Sequence, residues 1–98
     1  MSDNLINDEV MSTVERIESA DSIDNIDPLD VEYTVGIGGD IREITLILTV
    51  GGPYIELNVT KGYVYGSWGD DTHTAPIFEN EQLVDRLHEY YSECHNLY

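Results

Sequence analysis

Aspartates stand at every third position in the stretch Asp21-Ser22-Ile23-Asp24-Asn25-Ile26-Asp27-Pro28-Leu29-Asp30, the most ordered set of chemically active side chains in the chain. A calcium loop would need oxygen ligands at alternate positions, a glycine at the turn and a closing glutamate, and this row has none of that pattern. As a track of negative charges it invites comparison with phosphates. Three residues span about 9 Å in a polyproline-like segment and about 4.5 Å along a helix. Duplex phosphates repeat about every 3.4 Å per strand along the axis. Neither spacing matches uniquely, so two readings stay open: an approximate phosphate mimic, or a solvated connector that turns Ile23, Ile26 and Leu29 to the core.

The remaining groupings are poorer candidates for chemistry. Asp70, Asp71 and His73, or His88, Cys94 and His95, contain metal-ligating types, but zinc needs three or four ligands converging on one point and neither spacing resembles a structural zinc pattern. Gly36-Ile37-Gly38-Gly39 lacks the lysine and the following helix of a phosphate loop and reads as a hairpin turn. Cys94 and His95 are adjacent, and neighbouring helical side chains do not face each other, so no oriented base serves the thiol. Asn58-Val59-Thr60 has only the form of a glycosylation sequon. The expectation is a protein that is not an enzyme, holds no metal or cofactor, and acts by binding.

The charge says what it binds. Twenty Asp and Glu stand against four Lys and Arg, a formal net charge of -16 over 98 residues. Small domains need about 2 to 8 units for solubility, and self-repulsion beyond that costs stability. Direct binding of nucleic acid or an anionic membrane is disfavoured, since both demand a basic surface. The charge is also patterned. Residues 1–32 carry ten acids and one base, residues 33–66 three acids and two bases, and residues 67–98 seven acids and one base. A single cysteine excludes an intramolecular disulfide. No basic n-region with an apolar stretch opens the sequence and no apolar run nears about 20 residues, so a cytoplasmic protein is expected.

The elements that must position these side chains follow from periodicity. Ile6, Val10, Val14 and Ile17 recur at helical spacing and predict a helix over 4–19. Pro28 and the period of three make 20–30 an extended acidic connector after at most one helical turn. Over 31–68, alternating apolar runs joined by Gly38-Gly39-Asp40, Gly51-Gly52-Pro53 and Lys61-Gly62 predict a four-stranded antiparallel meander. Residues 69–76 read as a loop. Leu83, Leu87, Tyr90 or Tyr91, and Cys94 predict a helix over 79–96, with Asn80 as a cap. The expected fold is a single α+β domain with both helices on one face of the sheet.

The partner-binding residues expected on this scaffold are Asp8, Glu15 and Glu18 on the first helix and Asp21, Asp24, Asp27 and Asp30 on the connector. Asp70 and Asp71 stand in the loop, with Glu79, Glu81, Asp85 and Glu89 at the second helix. Trp68, beside Gly69-Asp70-Asp71, is the expected exposed aromatic anchor, since Trp and Tyr dominate interface energetics.

In size, charge and outline the chain resembles the anti-CRISPR proteins of phages and mobile elements, several of which imitate DNA and occupy the site where a CRISPR effector reads the PAM duplex. One small inhibitor of a Cas9-type nuclease is similar in its order of helix, antiparallel meander and helical segments. The stretch Gly51-Gly52-Pro53-Tyr54-Ile55-Glu56-Leu57 with Gly62-Tyr63-Val64-Tyr65-Gly66-Ser67-Trp68-Gly69 also resembles a hairpin of small phage-type proteins. The resemblance implies a DNA-mimic inhibitor. Its partner would be a basic nucleic-acid-binding protein in the host cytoplasm, such as a Cas nuclease or a Cascade subunit, met by a monomer or homodimer. Two alternatives are an inhibitor of a restriction enzyme or other DNA-binding protein, and a phage structural or assembly protein with incidental acidity.

Overall fold

Two amphipathic helices and an antiparallel sheet make up the computed structural model, which describes residues 5–96. Helix α1 spans Leu5–Glu18, so its expected start at Asn4 falls outside the described residues. Ile6, Val10, Val14 and Ile17 form its buried stripe, each at most 3% exposed, and Asp8, Glu9 and Glu15 face away. A single 3-10 turn follows at Ile23–Asn25, closed by a capping box in which the Ser22 hydroxyl accepts from the Asp24 N–H and the Asn25 side chain accepts from the Ser22 N–H. Helix α2 spans Glu81–Asn96.

The sheet contains five strands, not four: β1 Asp30–Val35, β2 Ile41–Thr49, β3 Tyr54–Asn58, β4 Tyr63–Trp68 and β5 Asp71–Pro76, in the order β1-β2-β3-β4-β5. The stretch expected as a loop is a strand paired with β4 from Trp68↔Asp71 to Tyr63↔Pro76. Gly69 and Asp70 alone connect the two. Gly69 has φ +61, and a glycine at the first central position is what a type II′ hairpin turn requires, because its twist matches that of the flanking strands. Asp71, Thr72, His73 and Thr74 carry no bulky apolar residue, so the segment shows no apolar alternation and only the Gly69-Asp70 turn points to a hairpin.

Because strand side chains alternate, the register builds one apolar row across the whole sheet: Val31↔Leu46, Leu46↔Leu57, Leu57↔Val64 and Val64↔Ala75. Both helices pack on this face. Helix α1 lies over β4 and β5, while α2 lies over β2 and the 3-10 turn, and the buried residues of both join one cluster with Ile44, Leu46, Ile55 and Leu57. The opposite face bears Asp30, Ile47, Glu56, Tyr65 and Thr74 in one row and Glu32, Thr45, Asn58, Tyr63 and Pro76 in the next. No described helix covers it.

Gly66 shows how closely α1 approaches the sheet. A Cβ there would sit 2.5 Å from Val10 Cγ2, 2.8 Å from Ile55 Cδ1 and 2.9 Å from Ile6 Cδ1. Gly66→Val is expected to lower stability by about 1–3 kcal/mol or more through overpacking. A urea melt with an unchanged midpoint would show that α1 does not rest on β4 as described.

Candidate macromolecule-binding surface

Each helix and the connector present their acids to solvent because their apolar residues point the other way. Asp8 and Glu15 are exposed on α1, as are Glu81, Asp85 and Glu89 on α2 and Glu79 just before it. Asp21, Asp24 and Asp27 are exposed along the connector, whose Ile26 is 4% exposed and anchored in the core. Leu29, which the solvated-connector reading turns to the core, is instead 64% exposed. The row of aspartates is also broken at its end. Asp30 opens β1, where its carboxylate accepts the Val31 N–H at 2.8 Å, and it stands on the helix-free face opposite Ile47. Asp21, Asp24 and Asp27 stay with the helical layer.

Glu18 has a different role from its neighbours. Its Oε2 accepts the N–H groups of Phe78 and Glu79, both at 3.1 Å, so it joins the end of α1 to the segment leading into α2. Asn80 completes the junction. Its backbone carbonyl accepts from Leu83 and Val84 in the first turn of α2, yet its side-chain amide donates to Ile17 O at 3.0 Å and Ala20 O at 2.9 Å. The side chain expected to cap α2 thus bonds carbonyls at the C-terminal end of α1 and just beyond it, adding a second donor to Ile17 O, which also accepts from the Ala20 N–H. Left-handed geometry at Asn80, φ 65, makes the double role feasible, and Asn tolerates it better than most residues.

Trp68 and the pair Asp70 and Asp71 lie at the β4–β5 hairpin. Trp68 is 41% exposed and its indole lies against the Gly51-Gly52-Pro53 turn, with Nε1 3.8 Å from where a Cβ of Gly52 would stand. It ends the fourth strand, not the last.

Among the described residues one ion pair is found, Lys61 Nζ to Glu43 Oε2 at 3.6 Å. Among the described residues the acids of the helices and connector therefore form no ion pair, and those exposed direct their charge outward. No group of three or more His, Cys, Asp or Glu could hold a metal ion among the described residues; the side chain of His95 lies outside them. Among the described residues no helix is long and apolar enough to cross a membrane.

Two features escaped the sequence reading. Tyr54, Tyr63 and Tyr65 are half-buried together on the helix-free face. Tyr54 donates to Glu56 Oε1 at 2.6 Å, and burial first, then that bond, push its phenol pKa up. Strand alternation already placed these tyrosines opposite Val64; what was missing was knowledge that both helices leave that face open. The second feature is a cleft between the connector and α2, lined by Asp24, Asp27, Ile26, Leu87, Tyr90 and Tyr91 among others. No local pattern announces it, since its walls are about 60 residues apart in the chain.

Fold and surface together define an α+β domain with an acidic helical layer, free of ion pairs among the described residues, on a five-stranded antiparallel meander. Comparison with protein-family models, with curated proteins and with solved structures returned no match.

The acids divide into structural and solvated groups, and stability measurements should separate them. Glu18→Ala is expected to cost about 1 kcal/mol through its lost hydrogen bonds. Asp24→Asn should change stability by no more than about 0.5 kcal/mol, as surface substitutions do. Equal thermal shifts for the two would refute the distinction.

Proposed function

We propose that this protein is a DNA-mimic inhibitor that occupies the nucleic-acid-binding groove of a basic protein, with a CRISPR effector complex as the leading target. The observation that carries the reading is the exposed, unpaired acidic layer of a chain with net charge -16. Carboxylates on α1, the connector and α2 would stand where phosphates stand, meeting Lys and Arg in the groove. Long-range attraction would speed encounter, and like-charge repulsion would keep nucleic acid itself away. An inhibitor of a restriction enzyme or another DNA-binding protein would work by the same physics.

The test is reconstitution. Guide-loaded CRISPR effectors of several types, and a panel of restriction enzymes, are mixed with a cognate duplex and rising amounts of the protein at low salt. Loss of duplex binding by one of them, reversed by excess duplex, is the expected result. Protein and duplex bound together on every effector and enzyme it joins would overturn the mimic reading.

A second reading draws on the helix-free face. Its half-buried Tyr54, Tyr63 and Tyr65 suit an ordinary protein interface, as in a structural or assembly protein. Binding through that face would survive high salt and fail on Tyr65→Ala, whereas the mimic would show the reverse.

A further inference from the structure

The cleft between the connector and α2 is smaller than a drug-sized ligand pocket and has the right chemistry for a side chain. Its volume is about 210 Å³, whereas pockets for small molecules run from about 300 to 1,000 Å³. Ile26 and Leu87, 4% and 1% exposed, help to form its apolar floor. Tyr90 and Tyr91 form an aromatic wall, their ring centroids 4.9 Å apart and their planes at 88°. Tyr91 packs against the core, and its carbonyl accepts the Tyr33 hydroxyl at 2.8 Å, which holds this part of α2 near β1. Tyr90 is 48% exposed, so its ring remains accessible. Asp24 and Asp27 line the opposite side, both exposed and neither in an ion pair among the described residues.

We propose that this cleft receives one arginine side chain of the basic partner. The methylene stem would lie on Ile26 and Leu87. The guanidinium would stack on Tyr90 and bond Asp24 and Asp27. Arginine suits the site better than lysine because its planar, weakly hydrated head stacks on aromatic rings and presents a fork of donors to carboxylates, while an ammonium is a strongly hydrated point charge. The neighbouring Cys94, by charge and then by hydrogen bond, holds Tyr90 above the usual tyrosine value, with Asp24 the smallest of the causes. Burial first, with Asp27 among the added charges, does so for Tyr91.

The proposal rests on the proposed function only for the partner that carries the arginine. The cleft itself can be probed alone. The full chain, labelled with ¹⁵N, is titrated with N-acetyl-arginine amide and separately with N-acetyl-lysine amide. The arginine amide should saturate with a Kd of about 1 mM, corresponding to about -4 kcal/mol. Its shifts should centre on residues 23–28 and 87–91, and the lysine amide should bind at least about three-fold more weakly. Asp24→Asn with Asp27→Asn should weaken the arginine amide about 10-fold, and Tyr90→Ala should erase its preference over lysine. All three residues are exposed, so these variants should keep the wild-type spectrum elsewhere. Shifts spread evenly over Asp70, Asp71, Glu81 and Asp85, or equal affinity for the two amides, would overturn the cleft. If the cleft fails while nucleic-acid competition holds, mimicry proceeds without it. If competition fails while arginine still binds here, the cleft serves a partner of another kind.

Discussion

Raising the salt from about 50 to about 200 mM is expected to weaken binding to the partner roughly 10-fold to 100-fold. A protein that neutralises 6 to 10 phosphates of true DNA loses about 10³ to 10⁵ over that range, because condensed counterions are released. A folded mimic lacks that condensed layer, so only screening and ions released by the partner remain. The carboxylates concerned are Asp8, Glu15, Asp21, Asp24, Asp27, Glu81, Asp85 and Glu89, which are exposed and outside any ion pair among the described residues. Charge reversal at Asp21, or at Asp70 and Asp71, should act mainly on the association rate, as peripheral charges do. Stability should be unchanged or slightly raised as repulsion falls. Titrations at four salt concentrations, read by surface plasmon resonance, supply both the slope and the rates. An affinity flat across that range, with association rates untouched by reversal, would mean that the acidic layer is merely solvated.

Leu46→Ala should produce the largest stability loss of the substitutions considered. Leu46 is 0% exposed and sits between Val31 and Leu57 in the row that crosses the sheet. Truncating such a residue removes its transfer free energy and leaves a cavity that rigid strands cannot close, at a cost of about 2–5 kcal/mol. Domains of this size have about 5–15 kcal/mol in total, and a chain with this net charge starts with self-repulsion against it. The variant should therefore be largely unfolded at a urea concentration that leaves the parent native. Ile37→Ala, at the fully exposed tip of the β1–β2 turn, is the control and should change nothing. A shift below about 1 kcal/mol for Leu46→Ala would mean that the central row is not packed as described.

Local pattern accounts for most of what was legible in advance. Helical spacing of Ile6, Val10, Val14 and Ile17 and of Leu83 and Leu87 is set by covalent periodicity alone, and each of these residues is buried. Alternation in β2 and β3 was equally plain. The fifth strand was lost because Asp71, Thr72, His73 and Thr74 contain no bulky apolar residue. An edge strand meets the core through few positions, here chiefly Ala75, so its pattern is weak even though its hydrogen bonds are regular.

The candidate surface was legible as composition and less so as geometry. That the helical ends hold the charge while the sheet is near neutral is a property of the sequence, since apolar stripes dictate which side of each helix meets water. Long-range contacts decided the rest. Glu18 and Asn80 look like ordinary surface and capping residues until the end of α1 and the start of α2 are brought together, when each bonds backbone groups of the other segment. Tyr91 packs inward and Tyr90 outward, although both fit the helical stripe, because the Tyr33 hydroxyl and the core beneath β1 and β2 hold one face of α2. The sequence alone thus determined which residues seek water and which avoid it, because that preference belongs to each side chain. Only the tertiary structure decided which acids stand free, which are tied into the fold, and which face a tyrosine across a cleft, because those relations join residues far apart in the chain.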